Sequence, residues 1–177
     1  LFSGDFPFTA AFVMAIMMAQ IPFVAAVSSS PGLPELPDQL GGQDSLQAHK
    51  GQIVLVLVTD VRRLRRMRRW SKAMIPLSRE IEDLHILRIA SLPPGSDIDK
   101  VRRFLQDRVP LDVPIFIDAH GHWARAFNLD TGTMNLLIFD RTGTLHQNRS
   151  GKFSRDLLAE VIVGLQALSD AGQTNFR

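Results

Sequence analysis

Arg62, Arg63, Arg65, Arg66, Arg68 and Arg69 fill six of eight consecutive positions. Guanidiniums crowded in this way repel one another at low salt. Phosphate or carboxylate groups relieve the repulsion through charge-assisted, often bidentate hydrogen bonds. At the start of a helix, free backbone N–H groups and the macrodipole strengthen the attraction for anions. The run therefore has two readings. In one it is an anion site for lipid phosphate, lipopolysaccharide, an acidic partner or a small anionic ligand. In the other it is a solvated face, with some arginines paired to Asp60, Glu80, Glu82 or Asp83. His120-Gly121-His122, with Asp118, is a second candidate. Two histidines two apart share a metal only on extended backbone, and a third ligand would have to come from a distance, with His146 as the candidate. Such short motifs match often by chance, so neither a metal nor another cofactor is expected. His49 and His85 stand isolated in the chain and read as surface or satisfied core histidines. Ser71 has no G-x-S-x-G elbow around it, and Ser150-Gly151 lacks the strand–turn–helix context of a nucleophile. No catalytic residue is assigned. Asn148-Arg149-Ser150 matches the glycosylation sequon, which is short and common. Trp70 and Trp123 read as packing residues.

The chain of 177 residues contains no cysteine. That removes disulfides, thiolate catalysis, iron–sulfur ligation and thiolate zinc sites together. The apolar and charged fractions, 45% and 21%, are those of an ordinary globular protein. The formal net charge is only +2. With no global basic field, and no aromatics interleaved with the arginines for base stacking, nucleic acid is not expected as a partner.

The elements that position these residues follow from periodicity. Residues 8–27 are apolar and small, broken only by Thr9, Gln20 and Pro22, and a Ser-Ser-Ser-Pro-Gly stretch follows. This is the layout of a secretory signal over residues 1–27, although Asp5 precedes the apolar run and no Lys or Arg does. An uncleaved membrane anchor and a core helix are the alternatives. Residues 28–52 form a Pro- and Gly-punctuated lead-in. Residues 53–58, IVLVLV, are the best candidate for a central strand buried on both faces. Asp60 is placed to cap the helix that follows, predicted over 61–84 with an internal kink or break at Pro76. On that helix Leu64, Met67, Ser71, Met74 and Ile75 share one side. Arg62, Arg65, Arg66 and Arg69 lie opposite, flanked by Arg63 and Arg68. A strand at 86–90 and a helix at 98–108 capped by Asp97 come next. The block 109–153 then supplies a strand at 115–117, a brief helix at 122–127, a strand at 136–139 and a return strand at 144–147. Two turns, Asp118-Ala-His-Gly and Asp140-Arg-Thr-Gly, echo one another within it. Ser154 caps a last helix over 155–169, and residues 171–177 are a polar tail.

This order, and the wording of the two Asp-x-x-Gly turns, resembles the thioredoxin-fold redoxins. Their second block runs T-P-T-x-x-x-I-D-x-x-G. Here it reads Thr133-Met134-Asn135-Leu136-Leu137-Ile138-Phe139-Asp140-Arg141-Thr142-Gly143. Lys50-Gly51-Gln52 also fits the family's approach to the first central strand. The resemblance covers roughly residues 33–170. It extends to the YtfJ-like group of small periplasmic proteins, which share a cysteine-poor redoxin frame. It implies a thioredoxin-like α/β fold over 53–170, a central mixed sheet with helices on both faces, behind a signal segment. The family's cis-proline position is Met134, and its bond is expected trans because cis peptides are nearly confined to X-Pro. The family's Cys-x-x-Cys falls either on Arg63-Leu64-Arg65-Arg66, counting from the strand, or on Arg68-Arg69-Trp70-Ser71, counting back from Lys72 and Pro76.

Neither register carries a thiol, so thiol–disulfide exchange and peroxiredoxin chemistry are excluded. The resemblance implies an exported, non-catalytic frame that binds a protein or peptide. The arginine helix or the Met134 loop is the suspected contact surface, and Ser71, Thr133 and Met134 mark the degenerate active-site region. The alternatives are a non-thiol enzyme at His120 and His122, and a membrane-surface module that uses the arginine helix on anionic lipid. The expected location is periplasmic or secreted, or membrane-anchored if the leader is uncleaved.

Overall fold

The computed structural model describes residues 32–174. The apolar stretch read as a leader, and the last residues of the polar tail, lie outside the described residues.

Strand β3 (Ile53–Asp60) is central, and each of its eight residues is buried. Its β-branched and leucine side chains alternate between two apolar layers, which is why the sequence shows a continuous apolar run rather than an alternating one. On one side β3 pairs in parallel with β4 (Leu84–Ser91), in register over its full length, and β4 pairs in parallel with β5 (Phe116–Asp118). On the other side β3 pairs antiparallel with β6 (Met134–Phe139), and β6 with β7 (Leu145–Gly151). The sheet order is β5-β4-β3-β6-β7. A separate two-stranded piece, β1 (Leu36–Pro37) with β2 (Gln43–Asp44), precedes it. A lone bridge from Asp38 to Phe116 ties this piece to edge strand β5.

The parallel strands are joined through α1 (Leu64–Met74), α2 (Leu77–Glu80) and α3 (Ile98–Arg108). These pack on the same sheet face as the long terminal helix α5 (Arg155–Thr174). The opposite face is covered by the short helix α4 (His122–Ala126), through Trp123, and by Leu33, Leu36 and Leu46 of the N-terminal segment. Helices thus stand on both faces, but unevenly, and irregular chain substitutes for a helix over much of the second face.

Several expected boundaries move. The helix predicted over 61–84 is a single 3-10 turn (Val61–Arg63) followed by α1 and α2. Pro76 separates the two helices, since it has no N–H to continue the ladder. The strand expected at 86–90 spans Leu84–Ser91, because pairing along all of β3 extends it. The return strand runs on to Gly151 after a register irregularity at Ile138/Phe139. The last helix continues to Thr174. Its Gly164 lets the helix approach the sheet closely, since a Cβ there would lie 3.1 Å from Ile138 Cδ1.

Both Asp-x-x-Gly turns work through their carboxylates. Asp118, fully buried, accepts hydrogen bonds from the backbone N–H of His122 (2.9 Å) and of Trp123 (3.0 Å) at the start of α4. Gly121 turns at φ 64° beside it. Asp140 accepts from Thr142 N–H (2.9 Å) and Thr144 N–H (3.0 Å). Asp118→Ala should therefore strand two donors and lower unfolding free energy by about 2 kcal/mol. Urea denaturation should show this as a lower midpoint with an unchanged slope.

Candidate functional site

The end of β3 sets the site. Asp60 closes the strand, and its carboxylate accepts from the backbone N–H of Arg62 (2.8 Å), which caps the turn into α1. The same carboxylate takes a two-pronged bond from the Arg62 side chain, Nε at 2.9 Å and Nη2 at 2.7 Å. This bond holds the Asp60 carboxyl below its ordinary range against the opposing effect of burial, and it raises the Arg62 guanidinium.

The arginines then divide. Arg66 donates to the carbonyl of Gly132 (2.9 Å), and Arg68 to the carbonyl of Arg108 at the end of α3 (3.0 Å), where the helix dipole favours a cation. Arg69 lies over the Phe153 ring, 4.4 Å from its centroid. None of the helix's arginines pairs with Glu80, Glu82 or Asp83 among the described residues. Asp83 is held instead by Arg141, at 2.6 Å.

Between α1 and the end of α3 runs a groove of about 730 Å³. Arg62, Arg63, Arg65, Arg66 and Arg68 line it, and Arg69 does not. Lys72, Arg88 and Arg108 join them, so seven arginines and one lysine surround the groove and no carboxylate lines it. Its floor is apolar, formed by Leu64, Met67, Val109 and Ile115. Ile75 and Phe104, both large and exposed, stand at its rim. The volume lies within the range of small-ligand pockets.

Arg88 was missed in the sequence. It sits mid-strand in β4, on the face that packs against α1, and donates through Nε to the Ser71 hydroxyl (3.0 Å). Its other described partner is the Ile86 carbonyl, at 3.4 Å. Burial pulls it below its ordinary value, and no acid neutralises it among the described residues. The available signal was the charge itself, an arginine interrupting the apolar run Ile86–Ala90. Ser71, 9% exposed, is accordingly a hydrogen-bond partner of Arg88.

The degenerate active-site region lies where the loop before β6 meets the end of β3. Met134 is fully buried in the layer beneath α1 and cannot serve as a contact side chain. Its loop is pinned to β3 by Asp60 N–H to the Thr131 carbonyl (3.0 Å) and by Thr59 Oγ1 to the Thr133 carbonyl (3.1 Å). No cis peptide bond occurs among the described residues. Of the two registers, 63–66 lies on the turn that opens α1. The register 68–71 lies further along α1, with Trp70 and Ser71 buried.

The histidines also rearrange. His120 and His122 meet edge to face at 5.6 Å, and the Arg125 guanidinium contacts both the His120 carbonyl and His122 Nδ1. Asp118 is committed to backbone donors. No third ligand joins this pair among the described residues. His49 and His85, expected to be isolated, are stacked against each other with centroids 3.6 Å apart. His49 closes the 3-10 turn Leu46–His49 and His85 lies near the start of β4, so the packing of that turn on the strand brings the rings together. Burial lowers His85 below its usual value, helped by His49 and opposed by Asp44.

No family model matches the sequence, and no curated protein matches it. Solved structures do match it. A Chlorobium tepidum protein provisionally named thiol:disulfide interchange protein DsbE superimposes with a TM-score of 0.61 at 16% identity, over 79% of this chain and 94% of that one. The fold is thioredoxin-like. An exposed lipoprotein thioredoxin from Streptococcus pneumoniae matches with a TM-score of 0.53 at 18% identity, over 73% and 96% of the two chains. Peroxiredoxin Q from Xanthomonas campestris gives 0.56 at 15%, over 77% and 92%. Those names describe thiol proteins, and this chain carries no cysteine with which to do their chemistry. No helix among the described residues is long and apolar enough to cross a membrane.

The Asp60–Arg62 contact has a pH signature. A carboxyl whose folded value is depressed stabilises the fold above its unfolded value, and the contribution disappears as pH falls through the folded value. Asp60→Asn should therefore be less stable than wild type at pH 7. The difference should shrink once pH drops below about 3.9, the ordinary aspartate value. Thermal melts of both proteins from pH 7 to pH 2.5 check this.

Proposed function

We propose that this chain is a thiol-free, non-catalytic thioredoxin-fold protein that binds an acidic, partly apolar polypeptide segment of a partner in the groove between α1 and α3. The carrying observation is that seven arginines and a lysine surround an apolar floor with no carboxylate among the lining residues. Charge complementarity calls for an anion, while the apolar floor and the exposed Ile75 and Phe104 at the rim call for aliphatic or aromatic groups beside it. A peptide that alternates acidic and apolar side chains offers both. Two arginines already spend hydrogen bonds on carbonyl oxygens, which orients the rest of the cluster.

The structural neighbours support a redoxin frame put to binding, since the frame is kept and the sulfur is absent. The YtfJ-like relationship and a location in the cell envelope belong to the same proposal. They rest on the apolar N-terminal stretch and on the wording around the two Asp-x-x-Gly turns.

Fluorescence anisotropy with a labelled peptide of alternating Glu and Leu tests the proposal. Binding should weaken as salt rises. The triple change Arg65→Gln, Arg66→Gln, Arg68→Gln should weaken it about tenfold, the sum of three ordinary surface ion pairs. A peptide of alternating Lys and Leu should not bind. Affinity indifferent to salt and to the triple change would sink the proposal. Binding to phosphatidylglycerol vesicles without binding to the acidic peptide would replace it with a membrane-surface role.

A further inference from the structure

On the opposite side of β4 from the groove, three metal-ligating side chains converge from separate elements. Asp44 ends β2, His49 closes the 3-10 turn Leu46–His49, and His85 is the second residue of β4. Their donor atoms all lie within 4.8 Å of one another. His49 Nε2 stands 2.8 Å from both carboxylate oxygens of Asp44, and His85 Nε2 is 3.8 Å from Oδ2. The two imidazoles are stacked with planes 16° apart, and the Nε2 atom of each faces the Asp44 carboxylate.

We propose that Asp44, His49 and His85 form a binding site for a zinc-class divalent cation that fastens the N-terminal segment to the sheet. The His85–Asp44 separation is too long for a hydrogen bond. Two metal–ligand bonds of about 2.0–2.1 Å meeting near the tetrahedral angle hold their donor atoms roughly 3.3 Å apart. The observed separations, 2.8 and 3.8 Å, bracket that value, and an ion would fan the two stacked rings apart so that both Nε2 lone pairs point at it. His49 Nδ1 faces Gln52 Oε1 at 3.0 Å. A proton on Nδ1 donated to that oxygen leaves Nε2 free to ligate, which is the outer-shell arrangement that metal-binding histidines favour. Two imidazoles and one carboxylate suit zinc and its neighbours over magnesium or calcium, which take oxygen ligands. Side-chain exposures of 14%, 18% and 36% leave room for water in the fourth position.

Metal-free full-length protein titrated calorimetrically with Zn2+ tests the site. One equivalent should bind, Mg2+ should not compete, and the melting temperature should rise with Zn2+. Co2+ in place of zinc should give the intense visible absorption of a four-coordinate site in the wild-type protein, which needs no variant. His85→Ala and Asp44→Asn should each weaken zinc binding at least tenfold while melting near the wild type without metal. The double change His120→Ala, His122→Ala should bind as wild type does. Zinc binding well below one equivalent, or binding lost in the His120/His122 variant and kept in His85→Ala, overturns the proposal. If His85→Ala does not fold, Asp44→Asn and the wild-type cobalt spectrum decide.

Discussion

The whole structure depends on one strand with no exposed residue. β3 is paired on both edges and covered on both faces. Each Val, Leu or Ile it buries contributes about 1.5–3 kcal/mol relative to exposure, and no polar side chain interrupts it before Thr59. That burial fixes where the strand must stop. Thr59 and Asp60 are the first side chains with polar work to do. One bonds to the Thr133 carbonyl, and the other caps the turn into α1. The start of the arginine helix is therefore set by the core, to within a hydrogen bond of the 130–133 loop.

The cationic groove follows from that placement. An isolated turn and helix carrying six arginines between them would spread their charge into solvent in all directions. Docked on β3, α1 turns Met67, Trp70 and Met74 inward, and five of the six arginines gather toward the end of α3. Repulsion among them is tolerated because carbonyls at Gly132 and Arg108 accept from two of them, and Asp60 neutralises a third. Arg88, rising from the sheet beneath, adds a guanidinium whose only described partners are neutral oxygens. The thioredoxin-like frame here supports concentrated positive charge.

The second face of the sheet shows how a short α4 is compensated. Trp123 packs there against Phe127 and Phe139, and the N-terminal segment supplies Leu33, Leu36 and Leu46. Gln39, fully buried, clamps this segment to the approach to β5. Its Nε2 donates to the Val113 carbonyl (3.0 Å) and its Oε1 accepts from Ile115 N–H (2.8 Å). Buried amides of this kind keep irregular chain in place because every polar atom finds a partner. Asp44, His49 and His85 sit at the same junction.

Strands, helices and caps were legible in the chain because they depend on near neighbours. Period-2 and period-3.6 patterns, the caps at Asp60, Asp97 and Ser154, and the Asp-x-x-Gly turns all act within a few residues. The charge of the arginine run was legible too, but its division was not. Arg69 left the cluster for Phe153, while Arg88 and Arg108 joined from other elements. Met134 looked like a loop residue and is core, because the layer beneath α1 closes over it. His49 and His85, 36 positions apart in the numbering, became ring neighbours only when the 3-10 turn Leu46–His49 was laid against β4. Short-range hydrogen bonding and hydrophobic period are written locally, and so the amino-acid order alone determined them. Which charges and which imidazoles meet depends on the packing of distant strands and helices, and that only the tertiary structure decided.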